Sequence, residues 1–195
     1  MKRFLERYSY DCVKLLLDQV AIAIFGLVLA LASGMAKNNV LQIVTSVCSV
    51  IFYLFLVYTV MWSVGARDRI AIDLGKIRKS YLTPVKMWLL ANSINLLLAI
   101  LVMLGMLLSD IKAFGSIGGV SSVIALLIEG MYSGLMTLDF IGGVPLNSLW
   151  PTYFIITLPA LAVEFVAYVL GVKNIHFTNM LVPKNPEAEE KKRKK

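Results

Sequence analysis

Four runs of roughly twenty apolar residues dominate this chain, and they constrain its fold more than any other feature. They extend from about Leu15 to Ala36, Val40 to Val64, Met87 to Leu108 and Thr152 to Val172. An α-helix rises about 1.5 Å per residue, so each run matches a hydrocarbon core roughly 30 Å thick. In lipid every backbone N–H and C=O must bond internally, which makes helix the form for an open span. Composition agrees. Of the 195 residues, 58% are hydrophobic and only 16% are charged, whereas soluble domains carry about 25% charged residues. A water-soluble domain, a disordered chain and a disulfide-rich secreted module are all excluded.

A fifth apolar stretch, Val120 to Leu138, decides the topology. Lysine and arginine flanking the spans stay cytoplasmic. If the fifth stretch does not cross, both termini and the 65–86 loop share one side. Of 19 basic residues, only Lys37 and Lys112 then lie opposite. If it does cross, the lysine-rich C-terminus moves outside. Charge therefore favours four spans with both termini cytoplasmic, in the cell membrane. Trp62 and Trp88 near the inner boundary and Trp150 near the outer one fit an aromatic belt. The expected fold is all-α: a four-span helical bundle plus an extracytoplasmic amphipathic or re-entrant helix. One transmembrane domain covers 1–182, and a disordered basic tail covers 183–195.

The outer segment, 110–151, opens with Gly115, Ser116, Gly118, Gly119, Ser121 and Ser122. Small or polar residues then recur at Ser122, Ala125, Glu129, Ser133 and Thr137, with Ile124, Leu127, Ile128, Met131 and Leu135 on the other face. This is a two-faced helix pattern. Read as an interfacial helix, it turns Glu129 toward water or headgroups. If the segment instead enters the membrane, Glu129 becomes an intramembrane carboxylate.

Ionisable and amide groups within spans are costly, so each requires an account. Glu164 lies eight residues from the inner end of the last span, roughly 12 Å deep. Asn92 and Asn95, three apart on one helix face, reach a similar depth, as do Tyr58 and Thr59; Gln19 is shallower. These six form an expected intramembrane polar cluster, serving either an ion- or proton-linked site at Glu164 or interhelical hydrogen bonding. Asp18, nearer the surface, is the second ionisable group this reading offers. Pro159 removes a backbone donor and is expected to bend the last helix.

The segment 65–79 alternates in charge. Arg67, Arg69, Lys76, Arg78 and Lys79 are candidates for lipid-headgroup or partner contact, with Arg69 and Asp73 spaced to pair on a helix. No aromatic residues interleave with the terminal lysine-arginine run, so nucleic acid is not an expected partner. The partners expected are the bilayer and a protein partner or second copy. His176 is the sole histidine, and no nucleophile elbow, phosphate loop or His-Glu-x-x-His helix occurs. Catalysis, metal and cofactors are therefore not expected. Cys12 and Cys48 fall at opposite depths, too far apart for a disulfide. Ala30-Leu31-Ala32 has the form of a signal-peptidase site, but the apolar run before it is span-length, so an uncleaved anchor is expected.

The stretch Trp62 to Pro84, with Gly65-Ala66-Arg67-Asp68-Arg69 and Asp73-Leu74-Gly75-Lys76-Ile77, resembles one found in small uncharacterised polytopic bacterial membrane proteins. The closing Pro151-Thr152-Tyr153, Leu158-Pro159 and Tyr168-Val169-Leu170-Gly171 are similar in style. The resemblance implies a helical integral membrane protein and carries no functional residues with it. The leading expectation is a non-catalytic accessory or structural membrane component. The rival is a small transporter or channel with a polar site around Glu164. A membrane-embedded enzyme comes third.

Overall fold

The computed structural model describes residues 2–141 and 143–175, and the basic tail and His176 lie outside them. The described chain is almost entirely helical. Helix α1 (Lys2–Met35) and helix α2 (Asn39–Asp73) form a long antiparallel pair. At about 1.5 Å per residue both exceed 50 Å, so each outruns the hydrocarbon thickness by several turns. Lys37, with φ 49°, makes the tight turn between them. Asn38 then caps α2, its side-chain oxygen accepting from the Val40 and Leu41 amides at 3.0 and 3.1 Å. At the other end Gly75 takes φ 68°, and the Gly75 and Lys76 amides bond back to Ile72 and Ala71. This glycine-closed stop satisfies the last free carbonyls.

Residues 65–73, expected to begin a loop, are therefore the last turns of α2. Arg67 and Asp68 are tied to α1, and those ties offset the cost of ordering a charged helix end. The connecting loop is shorter, 74–82.

The third apolar run is broken. Helix α3 (Thr83–Ala91) and helix α4 (Ser93–Leu107) meet at Asn92 with a bend of 61°. The Val120–Leu138 stretch is broken too. Helix α5 (Lys112–Ile128) packs on α4, then turns by 87° at Glu129 into a 3-10 turn (Gly130–Tyr132) and helix α6 (Ser133–Met136). A minimal hairpin pairs Asp139 with Pro145 and Ile141 with Val144. Helix α7 (Thr152–Ile155) and helix α8 (Leu158–Val172), the latter with Pro159 in its first turn, complete the bundle.

By length and apolarity, three helices can each cross a membrane: Phe4–Met35, Asn39–Asp73 and Thr152–Val172. The number rises to five if each bent pair is one span. Side-chain distribution supports lipid as the surrounding solvent. Leu17, Ile24, Val28, Ile51, Phe55 and Leu97 face outward, while Ser49, Gln19, Glu164 and Asp68 are buried. Along the apolar runs, aliphatic and aromatic side chains outside with amide and carboxyl groups inside suit hydrocarbon and would be unfavourable in water.

Helices approach where glycine allows it. A β-carbon on Gly65 would overlap the Tyr168 carbonyl, and one on Gly171 would overlap the Trp62 carbonyl, so α2 and α8 cross backbone to backbone. Gly105 and Gly118 lock α4 to α5 in the same way. Small residues at crossings are how helices associate without a hydrophobic driving force.

Candidate functional site

The buried polar groups form a column along the interior faces of α1 and α2. On α2, Gln42, Ser46, Ser49 and Tyr53 recur at helical spacing on the packed face. At the top, Gln42 donates to the Gly134 carbonyl at 3.1 Å and to the Thr137 hydroxyl at 2.9 Å, tying α6 to the start of α2. Lower down, Gly130 abuts the Ala23 carbonyl and Gly26 abuts Met131, so the 3-10 turn rests directly on the α1 backbone. That contact places Glu129 inside the bundle.

Glu129 is 4% exposed and Glu164 is 1% exposed. Among the described residues neither carboxylate has a cationic partner. Oε2 of Glu164, Nε2 of Gln19 and the hydroxyls of Tyr132 and Ser46 are buried without hydrogen-bond partners. Tyr53, 4% exposed, lies within electrostatic range of both carboxylates. Cys12 lies within range of Glu164. The buried α1 residues Cys12, Leu15, Gln19, Ile22 and Ala23 share one face, so Glu164 sits beside its lower end and Glu129 beside its upper end.

Below Glu164 the column ends in a dense charge network. Asp68 accepts from Arg7 Nη2 at 2.9 Å and Nε at 3.3 Å, from the Tyr8 hydroxyl at 2.7 Å and from the Tyr168 hydroxyl at 2.9 Å. Asp11 pairs with Arg67. The two ion pairs are crossed: α1 supplies Arg7 and Asp11, and α2 supplies Asp68 and Arg67. Each helix therefore carries one charge of either sign, and a shift of register between them would break both pairs.

The structure sorts the six residues expected to cluster. Glu164 and Gln19 are both buried, on α8 and α1. Asn92 and Asn95 are buried and bond each other at 3.1 Å, while Asn92 also donates to the Trp88 carbonyl at 3.2 Å. They form the break between α3 and α4, and among the described residues no hydrogen bond joins them to Glu164. Tyr58 is half-buried. Thr59 is exposed and donates to its own helix at Leu56, 2.8 Å away, so it leaves the cluster: residue 59 lies on the lipid side of the α2 face set by Tyr53, Val57 and Val60. Glu129 corrects a second expectation. Its helix does have two faces, but Gly118, Ser121 and Ala125 point inward, while Val120, Val123 and Leu127 are exposed. The apolar face is outside, the arrangement that hydrocarbon favours.

Of the basic residues expected at the headgroups, Lys76, Arg78 and Lys79 are exposed. Arg67 is exposed as well and also pairs with Asp11, a buried carboxylate on α1 that needs a counter-charge. Arg69 approaches Asp73 at 3.7 Å. Among the described residues no group of three or more His, Cys, Asp or Glu is arranged to hold a metal.

No family model, curated protein or solved structure matches this chain. Functional inference therefore rests on the column itself. Asp68, Tyr53, Tyr132 and the serines at 46 and 49 are the members that sequence reasoning passed over. The recurrence of polar residues at 42, 46, 49 and 53 is the signal for Ser46, Ser49 and Tyr53; Asp68 and Tyr132 have none of that kind.

Proposed function

We propose that this is a multi-pass cell-membrane protein that moves protons or a small monovalent cation, with Glu164 and Glu129 as the exchanging groups. The single observation that carries the reading is the pair of buried carboxylates, Glu164 and Glu129, both without a cationic partner among the described residues. Burying an uncompensated carboxyl is expensive, and such groups in membranes mark ion or proton paths. The partnerless Gln19 and Tyr132 beside them supply donors or acceptors for a passing ion or for water.

In this reading four spans cross: α1, α2, the bent α3–α4 and α7–α8. Residues 112–136 form a re-entrant segment that enters from outside beside α4 and returns. The return is supported by Gly130 resting on mid-helix Ala23, whereas Thr137 bonds Gln42 only three residues into α2. Both termini face the cytoplasm, which keeps the basic residues on one side. The crossed pairs of Arg7, Asp68, Asp11 and Arg67 then close the cytoplasmic end of the column.

The test is flux into liposomes holding a pH-sensitive dye. Glu164→Gln and Glu129→Gln should each lower proton or cation flux about tenfold or more, equivalent to at least about 1.4 kcal/mol on the limiting barrier. Unaltered flux in both variants, or no flux through the wild-type protein, would sink the proposal.

A second reading, a non-catalytic accessory component, draws support from the exposed cations of the 74–82 loop, Lys76, Arg78 and Lys79. Photo-crosslinking from positions 76–79 should then trap one defined protein; capture of lipid alone would count against it.

A further inference from the structure

A groove of about 490 Å³ opens on the outer half of the bundle, between α1, α2 and the re-entrant segment. Its apolar wall is made by Leu27, Ala30, Leu31 and Gly34 of α1 and by Leu126 of α5. Its polar lip is made by Gln42, Ser133 and Thr137. The groove is open along one side and walled mainly by apolar side chains, a shape that an acyl chain can lie along.

Three observations point to a lipid with an anionic headgroup. The apolar wall follows α1 for about two turns and leads to its outer end at Met35, which is 85% exposed. Lys37 stands exposed in the turn that joins the two walls, one of only two cations on the outer side. Asn38 and Gln42 lie at the same level, where headgroups sit. We propose that this groove binds a phospholipid of the outer leaflet, its acyl chain against Ala30 and Gly34 and its phosphate beside Lys37. The proposal rests on the membrane orientation given above and is independent of whether Glu164 and Glu129 carry ions.

Gly34 makes the test clean, because a β-carbon there meets no atom within 4 Å. Gly34→Trp should fill the groove without disturbing a helix crossing. The protein would be reconstituted in vesicles of phosphatidylglycerol and phosphatidylcholine, extracted in mild detergent and examined by native mass spectrometry. The wild-type chain should retain one phosphatidylglycerol. Gly34→Trp should lower retention about tenfold, and Lys37→Gln should retain lipid but lose the preference for the anionic headgroup. Both variants should keep wild-type helicity and elution volume. Equal retention by Gly34→Trp and wild type would overturn the proposal. So would a wild-type dimer that Gly34→Trp dissociates without altering lipid retention, since a second copy would then be the occupant. Failure of this experiment leaves the liposome flux unaffected, so the two readings fail separately.

Discussion

Four donors converge on the Asp68 carboxylate, two from Arg7 and one each from Tyr8 and Tyr168. Asp68 lies on α2 and its donors on α1 and α8, so one side chain joins three helices at one end of the bundle. Removing one partner of a buried pair typically costs 3–5 kcal/mol. The Arg7 side chain remains 35% exposed, which screens the orphaned charge. Asp68→Ala should therefore destabilise by about 3 kcal/mol, read as a loss of cooperative unfolding stability in detergent. Gly171 is governed by contact. Any β-carbon there strikes the α2 backbone, so Gly171→Leu should separate α2 from α8 and cost about 3 kcal/mol or more, whereas Gly34→Leu should be tolerated. Equal thermal stability of the two glycine variants would show that the α2–α8 crossing is not backbone-limited.

Asn92 defines what happens at the scale of an element. It ends α3, begins α4 and bonds both Trp88 and Asn95, substituting side-chain bonds where the helical ladder is interrupted. Trp88 Nε1 donates to the Thr157 carbonyl at 3.2 Å, which anchors the lower arm to the break between α7 and α8. Asn92→Leu should favour a straighter helix, lengthening the distance between spin labels placed at 86 and 106; an unchanged distance would assign the bend to packing by neighbours. The 61° break was not legible in sequence, because an apolar run with two asparagines reads as one span. The α5 segment shows a deeper limit. Its 3.6-residue period was plain, but a period says only that a helix has two faces. Which face is buried depends on the solvent: water draws Glu129 outward, and lipid drives it in. Sequence alone left that solvent open for this one helix. The same ambiguity hid Tyr53 and Ser46, since polar spacing on α2 gains meaning only when α1 and the 3-10 turn cover it. Glu164 and Gln19 were legible because a carboxyl or amide in the middle of an apolar run is costly against lipid and must turn toward protein.

The whole molecule is a lipid-facing shell around a stepped polar interior. Along α2 the polar groups run from Gln42 through Ser46, Ser49 and Tyr53 to Asp68, which binds Arg7, and the buried Glu129 and Glu164 come from the turn after α5 and from α8. The apolar runs made the apolar outer surface readable. The column depends on contacts between residues a hundred positions apart, such as Tyr168 with Asp68, and those are set by how the helices pack. The most direct measurement of the central claim is labelling with a hydrophobic carbodiimide in intact membranes, followed by peptide mass spectrometry and parallel flux. Such a reagent reaches protonated carboxyls from the lipid side. The account predicts modification at Glu164 and Glu129, with flux lost in proportion to labelling and with Asp68 protected by its four donors. Labelling confined to acids at the membrane surface, with flux unchanged, would contradict it.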